Sequence, residues 1–437
     1  MRTLRLFFLL FWPTLAAAQP QFRFEQLSAD IGPTHGAVNC AVQDSRGILW
    51  VGTWSGLMRY DGYRVKTYHQ ESGNAAGLQS DQVTAVLEDR SHRLWVGTVN
   101  AGFHLFDRAS ETFQNFRFNP DDANSLSDND VWGLFEDSRG YIWVGTKNGL
   151  NRFDPKTGAF LRIFSTVAGR SNYSADYIYS ICETPDGSIW SATTRGLNRL
   201  KFRSERDYDL QHYELDPAAP DAELGNFIYR IRPARQEPNT LWVASKAGLK
   251  KVRFSDSDMG FLQIAAAFRT VPGDPTSLSH NIVSDFFEEN NGRLWVATYH
   301  GLNLLEPKTG QFRRFFAQSG EAFSLNNDFV RCLFQDRTGI LWLGTDKGLN
   351  KLNLRHKPFQ SIRLDKNGSA AGSVVTGISA GGATGTLWVS TIGGLHRLDT
   401  RNEQSRPTHY TLAPPRLAGF HAGFAAGQGA FFAAANR

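Results

Sequence analysis

The sequence predicts an all-β protein, a β-propeller, from an internal repeat, from its turn residues and from its lack of helical periodicity. Eight copies of a motif that reads Leu-Trp-Val-Gly-Thr in its clearest form recur at intervals of 45 to 53 residues. A period of this length is typical of one four-stranded propeller blade. Aromatic residues make up 13% of the 437 residues, and there are 41 glycines, as expected for many short strands joined by tight turns. The tryptophans of the motif are Trp50, Trp95, Trp143, Trp190, Trp242, Trp295, Trp342 and Trp388.

The third copy shows how one blade forms from four strands. Val131–Glu136 alternates apolar with polar or small residues and predicts the first strand, and residues 137–140 form a turn that ends in glycine. Tyr141–Thr146 is the second strand and carries the tryptophan. An Asn-Gly pair, which is favoured in hairpins, leads to the third strand, Leu150–Asp154. A further turn leads to the outer strand, Ala159–Phe164.

Each repeated residue has a predicted role in packing or in a turn. Because blades pack face to face, the tryptophan fills the space between neighbouring blades, and the Gly or Ala two residues later makes room for the next blade. An aspartate that precedes the first turn is expected to cap the turn backbone rather than to act as an acid or a base. These aspartates are Asp44, Asp89, Asp137 and Asp336.

The segment Phe22–Leu27 predicts how the ring closes. It resembles an outer strand such as Phe312–Phe315, and an outer strand that precedes the first blade can complete the last blade and remove an exposed sheet edge. We therefore predict a seven-bladed propeller over residues 19–365 and an eighth blade repeat over 366–412, which could begin a second propeller. An irregular tail is predicted over 413–437. An eight-bladed ring is the alternative that the sequence leaves open.

The first residues predict export. Arg2 and Arg5 precede an apolar run from Leu6 to Leu15, and three alanines follow, which is the pattern of a signal peptide over residues 1–18. The apolar run is too short to span a membrane, and no later segment is long enough. We expect a periplasmic protein with no membrane span in this chain.

Charge and cysteine content narrow the expected partners. The formal net charge is +5, with basic and acidic residues interspersed, so nucleic acid is not an expected partner. Cys40, Cys182 and Cys332 fall in predicted strands, and packed sheets lie ~10 Å apart, too far for a disulfide between equivalent positions. We expect buried small hydrophobic residues there. No metal and no cofactor is predicted, because the Cys and His spacing fits no metal site.

The motif set resembles the two-component regulator propeller repeat. The resemblance lies in Gly47–Thr53 followed by Gly56–Gly62, recurs in Gly149–Asp154 and Gly348–Leu352, and covers about residues 21 to 400. It implies a periplasmic sensing domain that precedes a membrane span and an output module such as a histidine kinase, a diguanylate cyclase or a DNA-binding domain.

The sequence departs from that plan, because it contains neither a span nor an output module. We therefore expect a truncated or frame-shifted fragment of a longer sensor that could form a homodimer through the missing carboxyl-terminal regions. A natural disordered tail is the alternative explanation of residues 413–437. Kinase or cyclase activity would need the missing module.

No catalytic constellation stands out, since the sequence has neither a His-Glu-x-x-His helix nor a Gly-x-Ser-x-Gly turn. We expect a non-enzymatic sensor of a small molecule or oligosaccharide, with a propeller-fold polysaccharide lyase or hydrolase, or a scaffold for an envelope protein, as alternatives. Loops that vary at a repeated position can confer specificity, and their aromatic and basic residues suit a sugar or an anionic oligosaccharide. Ordinary solvated turns are the other interpretation of the same loops. The predicted ligand-binding residues, expected around one mouth of the central channel, are Trp54, Asn100, Lys147, Arg195, Lys246, Tyr299, His300 and Asp346.

Overall fold

The computed structural model describes residues 22–27, 36–163, 177–215, 217, 221–321, 323–354, 375–381, 385–392, 394–399, 408–410, 420–421 and 434–435. The signal peptide predicted for residues 1–18 lies outside the described residues, as does most of the tail predicted for 413–437. The chain divides into two compact units, Met1–His356 and Lys357–Arg437. No helix among the described residues is both long and apolar enough to span a membrane.

The first unit consists of antiparallel four-stranded sheets that follow one another along the chain. After β1 (Phe24–Gln26), the first three sheets are β2 (Val38–Gln43), β3 (Leu49–Thr53), β4 (Gly56–Tyr60) and β5 (Val65–Tyr68); β6 (Val83–Glu88), β7 (Leu94–Thr98), β8 (Gly102–Asp107) and β9 (Thr112–Phe116); and β10 (Val131–Glu136), β11 (Ile142–Thr146), β12 (Gly149–Asp154) and β13 (Ala159–Ile163).

Four further sheets complete the first unit, and one short helix precedes the fifth sheet. They comprise β14 (Ile178–Glu183), β15 (Ile189–Thr193), β16 (Gly196–Phe202) and β17 (Tyr208–Tyr213); α1 (Ala222–Asn226), then β18 (Ile228–Pro233), β19 (Thr240–Ser245), β20 (Gly248–Phe254) and β21 (Leu262–Phe268); β22 (Val283–Glu288), β23 (Leu294–Thr298), β24 (Leu302–Glu306) and β25 (Gln311–Phe315); and β26 (Val330–Gln335), β27 (Ile340–Thr345) and β28 (Gly348–Asn353).

The seven sheets close into a ring, so the predicted β-propeller is confirmed. The strand β1 pairs antiparallel with β28 and forms the outer strand of the seventh sheet, with Phe24 opposite Leu352. The first strand of each sheet contacts the first strand of the next, and β26 contacts β2. Val38 of the first sheet packs in one cluster with Trp342 of the seventh. The alternative of an eight-bladed ring is therefore wrong.

The same polar contact recurs between neighbouring blades and at the closing seam. The Glu88 carboxylate accepts a hydrogen bond from the Ser45 amide of the preceding blade at 2.6 Å. At the seam, the Gln43 side-chain oxygen accepts one from the Arg337 amide at 3.0 Å. The contact between the first and seventh blades is therefore of the same kind as the contact between the first and second. The acceptor at the seam is the side-chain amide oxygen of Gln43 instead of the carboxylate of a glutamate.

The repeated tryptophan and aspartate form one buried unit. The Trp143 indole is fully buried and donates a hydrogen bond from Nε1 to Asp137 Oδ2 at 2.9 Å. Asp137 Oδ1 accepts hydrogen bonds from the amides of Arg139 and Tyr141. The predicted turn cap is thus confirmed, and the carboxylate also satisfies an indole N–H that burial would otherwise leave without a partner. Trp50, Trp95 and Trp342 repeat the contact with Asp44, Asp89 and Asp336.

The small residue of the motif makes room for the next blade, as predicted. A methyl group at Gly145 would lie 2.6 Å from the Ile178 carbonyl oxygen and 2.7 Å from its Cγ2. At the closing seam, a methyl group at Gly344 would lie 2.6 Å from Val38 Cγ1. These distances are far below van der Waals contact, so a side chain at either glycine would push the neighbouring blade away.

The motif threonine caps the turn that follows its strand. The Thr53 hydroxyl donates to the Gly56 carbonyl oxygen and accepts a hydrogen bond from the Ser55 amide, both at 2.9 Å. Gly56 has φ +116°, a conformation that favours glycine. This turn joins the second and third strands of the blade.

The three cysteines are free thiols. Cys182 and Cys332 are buried, and Cys40 is partly buried. Burial raises the pKa of Cys40 to about 12, so the thiol is protonated at neutral pH.

The second unit contains an eighth sheet with the same strand order. Its strands are β29 (Val375–Ala380), β30 (Thr386–Thr391), β31 (Gly394–Asp399) and β32 (Thr408–Tyr410). Val375 is 48% exposed, whereas Val38, at the equivalent position of the first blade, is fully buried. Within the predicted tail, β33 (Phe420–His421) pairs with β34 (Ala434–Ala435).

Candidate functional site

A β-bulge near the start of every blade determines what lines the channel. In each of the seven sheets, the pairing between the first and second strands shifts after the first residue, as between Val38 and Cys40. The bulged residue has no partner in the ladder, and such a bulge re-aims its side chain. The seven bulged residues all line one cavity of about 130 Å³, which therefore lies on the axis of the ring. They are Asn39, Thr84, Trp132, Tyr179, Tyr229, Ser284 and Arg331.

The bulged residues divide into two groups by size. Asn39 Nδ2 donates to the Val83 carbonyl oxygen of the next blade at 2.9 Å. The hydroxyls of Thr84 and Ser284 reach the equivalent carbonyl of their own next blades. The larger Trp132, Tyr179, Tyr229 and Arg331 occupy the cavity instead. Small polar residues thus connect blades, while large ones shape the mouth of the channel.

Aromatic rings form a continuous arc around this mouth. The ring centroids of Trp54 and Trp132 are 6.2 Å apart, and those of Trp132 and Tyr179 are 5.4 Å apart. Tyr179 lies 5.5 Å from Tyr229, which lies 6.3 Å from Tyr299. The hydroxyls of Tyr229 and Tyr299 are within 3.3 Å of each other. Phe329 ends the arc, with its centroid 3.8 Å from that of Tyr299.

The phenols of the arc are hydrogen-bonding groups rather than anions. Burial raises the pKa of Tyr179, and burial together with the Tyr299 hydroxyl raises that of Tyr229, both well above the usual range. Both phenols are therefore protonated at neutral pH. The mouth combines flat apolar rings with a few polar groups, a composition typical of small-molecule sites.

Below the mouth lies a second cavity of about 170 Å³, which shares Thr84, Trp132, Tyr179 and Arg230 with the first. Asp285, 1% exposed, is its one carboxylate. Its Oδ2 accepts the Leu333 amide at 2.9 Å, and its Oδ1 lies 2.9 Å from Arg232 Nη2 and 3.3 Å from Arg230 Nε. Cys40 and Cys332 also line this cavity. Over the described part of the chain, no three His, Cys, Asp or Glu residues are grouped to bind a metal.

Five of the eight predicted site residues come directly after the motif threonine or serine, and these face the mouth or its edge. Trp54 and Tyr299 line the mouth cavity. Lys147 Nζ lies 5.9 Å from the ring of Tyr177, beside the arc. Lys246 Nζ lies 3.4 Å from the ring of Phe227, and Asp346 forms an ion pair with Arg331.

The other three lie one residue further along the loop, and the structure does not bring them into the mouth cavity. The amides of Arg195 and His300 bond to the motif threonine hydroxyl, and both residues are exposed. The His300 ring packs 5.1 Å from Phe316, with Nδ1 3.6 Å from Asp328. Asn100, with φ +64°, shares a separate groove with Trp54.

Sequence reasoning missed the bulged residues, although a signal for them was present. The first residue of each first strand is Val or Ile, while the second varies among Asn, Thr, Trp, Tyr, Ser and Arg. A strand position that varies between repeats while its neighbour does not marks a side chain outside the repeated core.

The repeats of this chain are similar to those of known proteins. The sequence model of the two-component regulator propeller matches six segments, at residues 32–55, 77–100, 125–148, 172–195, 277–300 and 324–347. A histidine kinase of Formosa agariphila is 28% identical over 108 residues, which cover 24% of this chain and 8% of the kinase.

Solved structures with the same fold include the extracellular domain of a hybrid two-component system from B. thetaiotaomicron, with TM-score 0.64 and 22% identity over 90% of this chain. The chain spans about half of that domain, 50% of its length. Virginiamycin B lyase from Staphylococcus aureus has TM-score 0.54 and 13% identity, and the match covers 76% of this chain and all of the lyase, 100%. At these identities the likeness shows the fold alone.

Proposed function

We propose that this chain, which belongs to the two-component regulator propeller family, is the ligand-sensing domain of an extracytoplasmic signalling receptor. Its ligand is a small molecule or an oligosaccharide that binds at the aromatic mouth of the channel. The observation that carries the proposal is the arc of rings from Trp54 to Phe329 around one axial cavity.

The dimensions of the site favour a ligand that inserts one ring. The two cavities, about 130 and 170 Å³, share four lining residues, and each is smaller than the ~300–1,000 Å³ of most sites that enclose a whole ligand. A terminal sugar ring can stack on Trp132 or Tyr179, while the rest of an oligosaccharide lies on the rim near Lys147 and Lys246. Stacking on rigid aromatic side chains costs little conformational entropy.

Periplasmic location is part of the proposal. It is supported by the signal-peptide pattern of residues 1–18 and by the similarity to a domain described as extracellular. In such a receptor the propeller detects the ligand, and a kinase or cyclase module produces the response.

The proposal is tested by calorimetry and thermal unfolding of the full chain with a panel of neutral and acidic oligosaccharides. We expect at least one to bind, and Trp132→Ala or Tyr179→Ala to weaken its binding at least about tenfold, since a buried aromatic anchor is typically worth more than 1 kcal/mol. Tyr63→Ala is the matched control, because Tyr63 is 86% exposed and away from the mouth.

Three outcomes contradict the proposal. Unchanged affinity in both mouth variants would place the ligand elsewhere. Release of a shortened or unsaturated sugar on incubation would favour a polysaccharide lyase or hydrolase. Absence of any binding, together with capture of an envelope protein, would favour a scaffold.

A further inference from the structure

The mouth cavity carries positive charge that its own lining does not balance. Arg230 and Arg331 are its two charged residues, and its lining contains no carboxylate. The remaining lining residues are Asn39, Trp54, Thr84, Trp132, Tyr179, Tyr229, Ser284, Tyr299 and Phe329. The carboxylates that pair with these two arginines lie outside the lining of this cavity: Asp285 lines the second cavity, and Asp346 is in the loop after β27.

The two neighbouring carboxylates are already engaged. Asp285 is shared by Arg230 and Arg232 and accepts two backbone amides, those of Phe286 and Leu333. The single carboxylate of Asp285 can neutralise only one of the two guanidiniums that contact it, so the cluster keeps a net charge of one positive unit. Asp346 pairs with Arg331 through Nε alone, so the terminal nitrogens of Arg331 have no hydrogen-bond acceptor within the described ranges.

Within the described part of the chain, three buried hydrogen-bond donors without an acceptor lie at the mouth or just below it. Trp132 Nε1 and Arg230 Nε are buried and have no hydrogen-bond partner among the described residues, although Asp285 Oδ1 lies 3.3 Å from the latter. Arg232 Nη1, which belongs to a residue of the second cavity, is also buried and has no hydrogen-bond partner among the described residues. Most buried donors in proteins have an acceptor, which can be water or a ligand, and those of the mouth differ from orphan donors elsewhere, such as Trp242 Nε1, because they line a cavity that a ligand can enter. No buried acceptor among the described residues that line the mouth lacks a partner.

We infer that the mouth contains an anionic subsite, in which Arg230 and Arg331 bind a carboxylate of an acidic sugar while its ring stacks on the aromatic arc. A carboxylate matches this lining because it only accepts hydrogen bonds and can pair with the fork of a guanidinium. The Trp132 indole N–H supplies a further donor. The inference rests on the proposed function, since it names the ligand class of the same site.

Arg331 is held for this role by its surroundings. Its guanidinium lies 4.6 Å from the Phe329 ring centroid, and its Nε donates to Asp346. Stacking and a single ion pair restrict the guanidinium of a residue that lines the cavity, and its terminal nitrogens are not used by either contact. A guanidinium fixed in this way loses less rotational freedom when it binds an anion.

The anion-binding capacity of the two arginines is tested with bromide, and this experiment does not require the sugar to be identified. Crystals of the full chain soaked in sodium bromide should show an anomalous peak in contact with Arg230 and Arg331, and Arg331→Gln should remove it. Arg253→Gln is the matched control, because Arg253 lies in the same blade as Arg230 but is exposed on β20. Absence of bromide from the wild-type mouth, or an equal peak in Arg331→Gln, would overturn the subsite.

Ligand class is tested with oligosaccharides that contain glucuronate or galacturonate, each paired with its carboxyl-reduced neutral form. We expect an acidic member to bind at least about tenfold more tightly than its reduced form, as a charge-assisted bidentate contact allows. Arg230→Gln and Arg331→Gln should remove most of this preference, and Arg253→Gln should keep it. Thermal unfolding of each variant verifies that it is folded.

The two hypotheses fail in different ways. If a sugar binds at the arc and its reduced form binds equally well, the anionic subsite is wrong and the sensing function stands. If bromide occupies the mouth and no sugar binds, the subsite stands and the proposed oligosaccharide ligand is wrong.

Discussion

Replacing Asp137 by alanine tests how much the buried bond between the repeated aspartate and the repeated tryptophan stabilises the fold. Asp137 is fully buried, and the change leaves the Trp143 indole N–H without its acceptor at 2.9 Å. An orphaned buried donor costs ~1–3 kcal/mol. The two turn amides that bond to Oδ1 at 3.0 Å add ~0.5–1.5 kcal/mol each.

The expected loss for Asp137→Ala is therefore about 2–6 kcal/mol, which corresponds to a fall in Tm of about 3–9 °C for a ring of this size. Differential scanning calorimetry measures it. Asp61→Ala is the control, because Asp61 accepts the amides of Tyr63 and Arg64 in an exposed turn and bonds to no indole. If the two variants lowered Tm equally, or if Asp137→Ala changed Tm by less than about 1 °C, the buried indole bond would not be a main source of stability.

Three other changes probe the packing and the electrostatics of the ring. Gly145→Ala should cost about 1–3 kcal/mol, because its methyl group would meet the Ile178 carbonyl oxygen at 2.6 Å; denaturant unfolding measures the cost, and wild-type stability would contradict the packing argument. Phe24→Ala, at a position 3% exposed in the closing strand, should cost about 3–5 kcal/mol and increase proteolysis at the seam, whereas an unchanged cleavage rate would contradict closure by β1. Burial raises the pKa of Asp44, but hydrogen bonds from Trp50 and Arg108 outweigh it and hold the pKa below its usual value. The carboxylate therefore stabilises the fold above the ordinary Asp pKa of ~3.9, and this contribution is lost as the pH falls through the lowered value. The stability deficit of Asp44→Asn relative to wild type should shrink below about pH 4 in acid-unfolding curves, and a constant deficit would contradict this linkage.

The fold was predictable because its determinants are local and repeated. Hairpin turns, the Trp-x-Gly spacing and the turn aspartate each act within one blade or against the next, so eight copies report the same interactions. Closure by Phe22–Leu27 was also predictable from the sequence, because the segment resembles an outer strand and lies before the first blade. The pairing of Phe24 with Leu352 confirms this prediction across more than 300 residues of sequence.

The site was harder to predict because it depends on the closed ring. Successive members of the series Trp132, Tyr179 and Tyr229 are 47 and 50 residues apart in sequence, and only the ring brings the centroids of each successive pair within about 5.5 Å. The side-chain direction of each also depends on a bulge, and its signal in the sequence is only the variation at the second residue of each first strand. Loop residues such as Trp54 and Tyr299 were accessible to sequence reasoning, because turns between strands are visible in the pattern.

The bulge explains how one short strand can hold both a residue of the packed core and a residue of the candidate site. In the first strand of the third blade, Val131 is fully buried against the neighbouring blade, so its size is fixed by packing. Trp132, next to it, has no ladder partner and lines the axial cavity, where it contacts other mouth residues rather than the repeated core. The equivalent position carries Tyr179 in the next blade and Arg331 in the seventh. Such a position can change its chemistry without altering the ring, and the aromatic arc and both arginines of the mouth arise at bulges, beside them or in the adjoining loops.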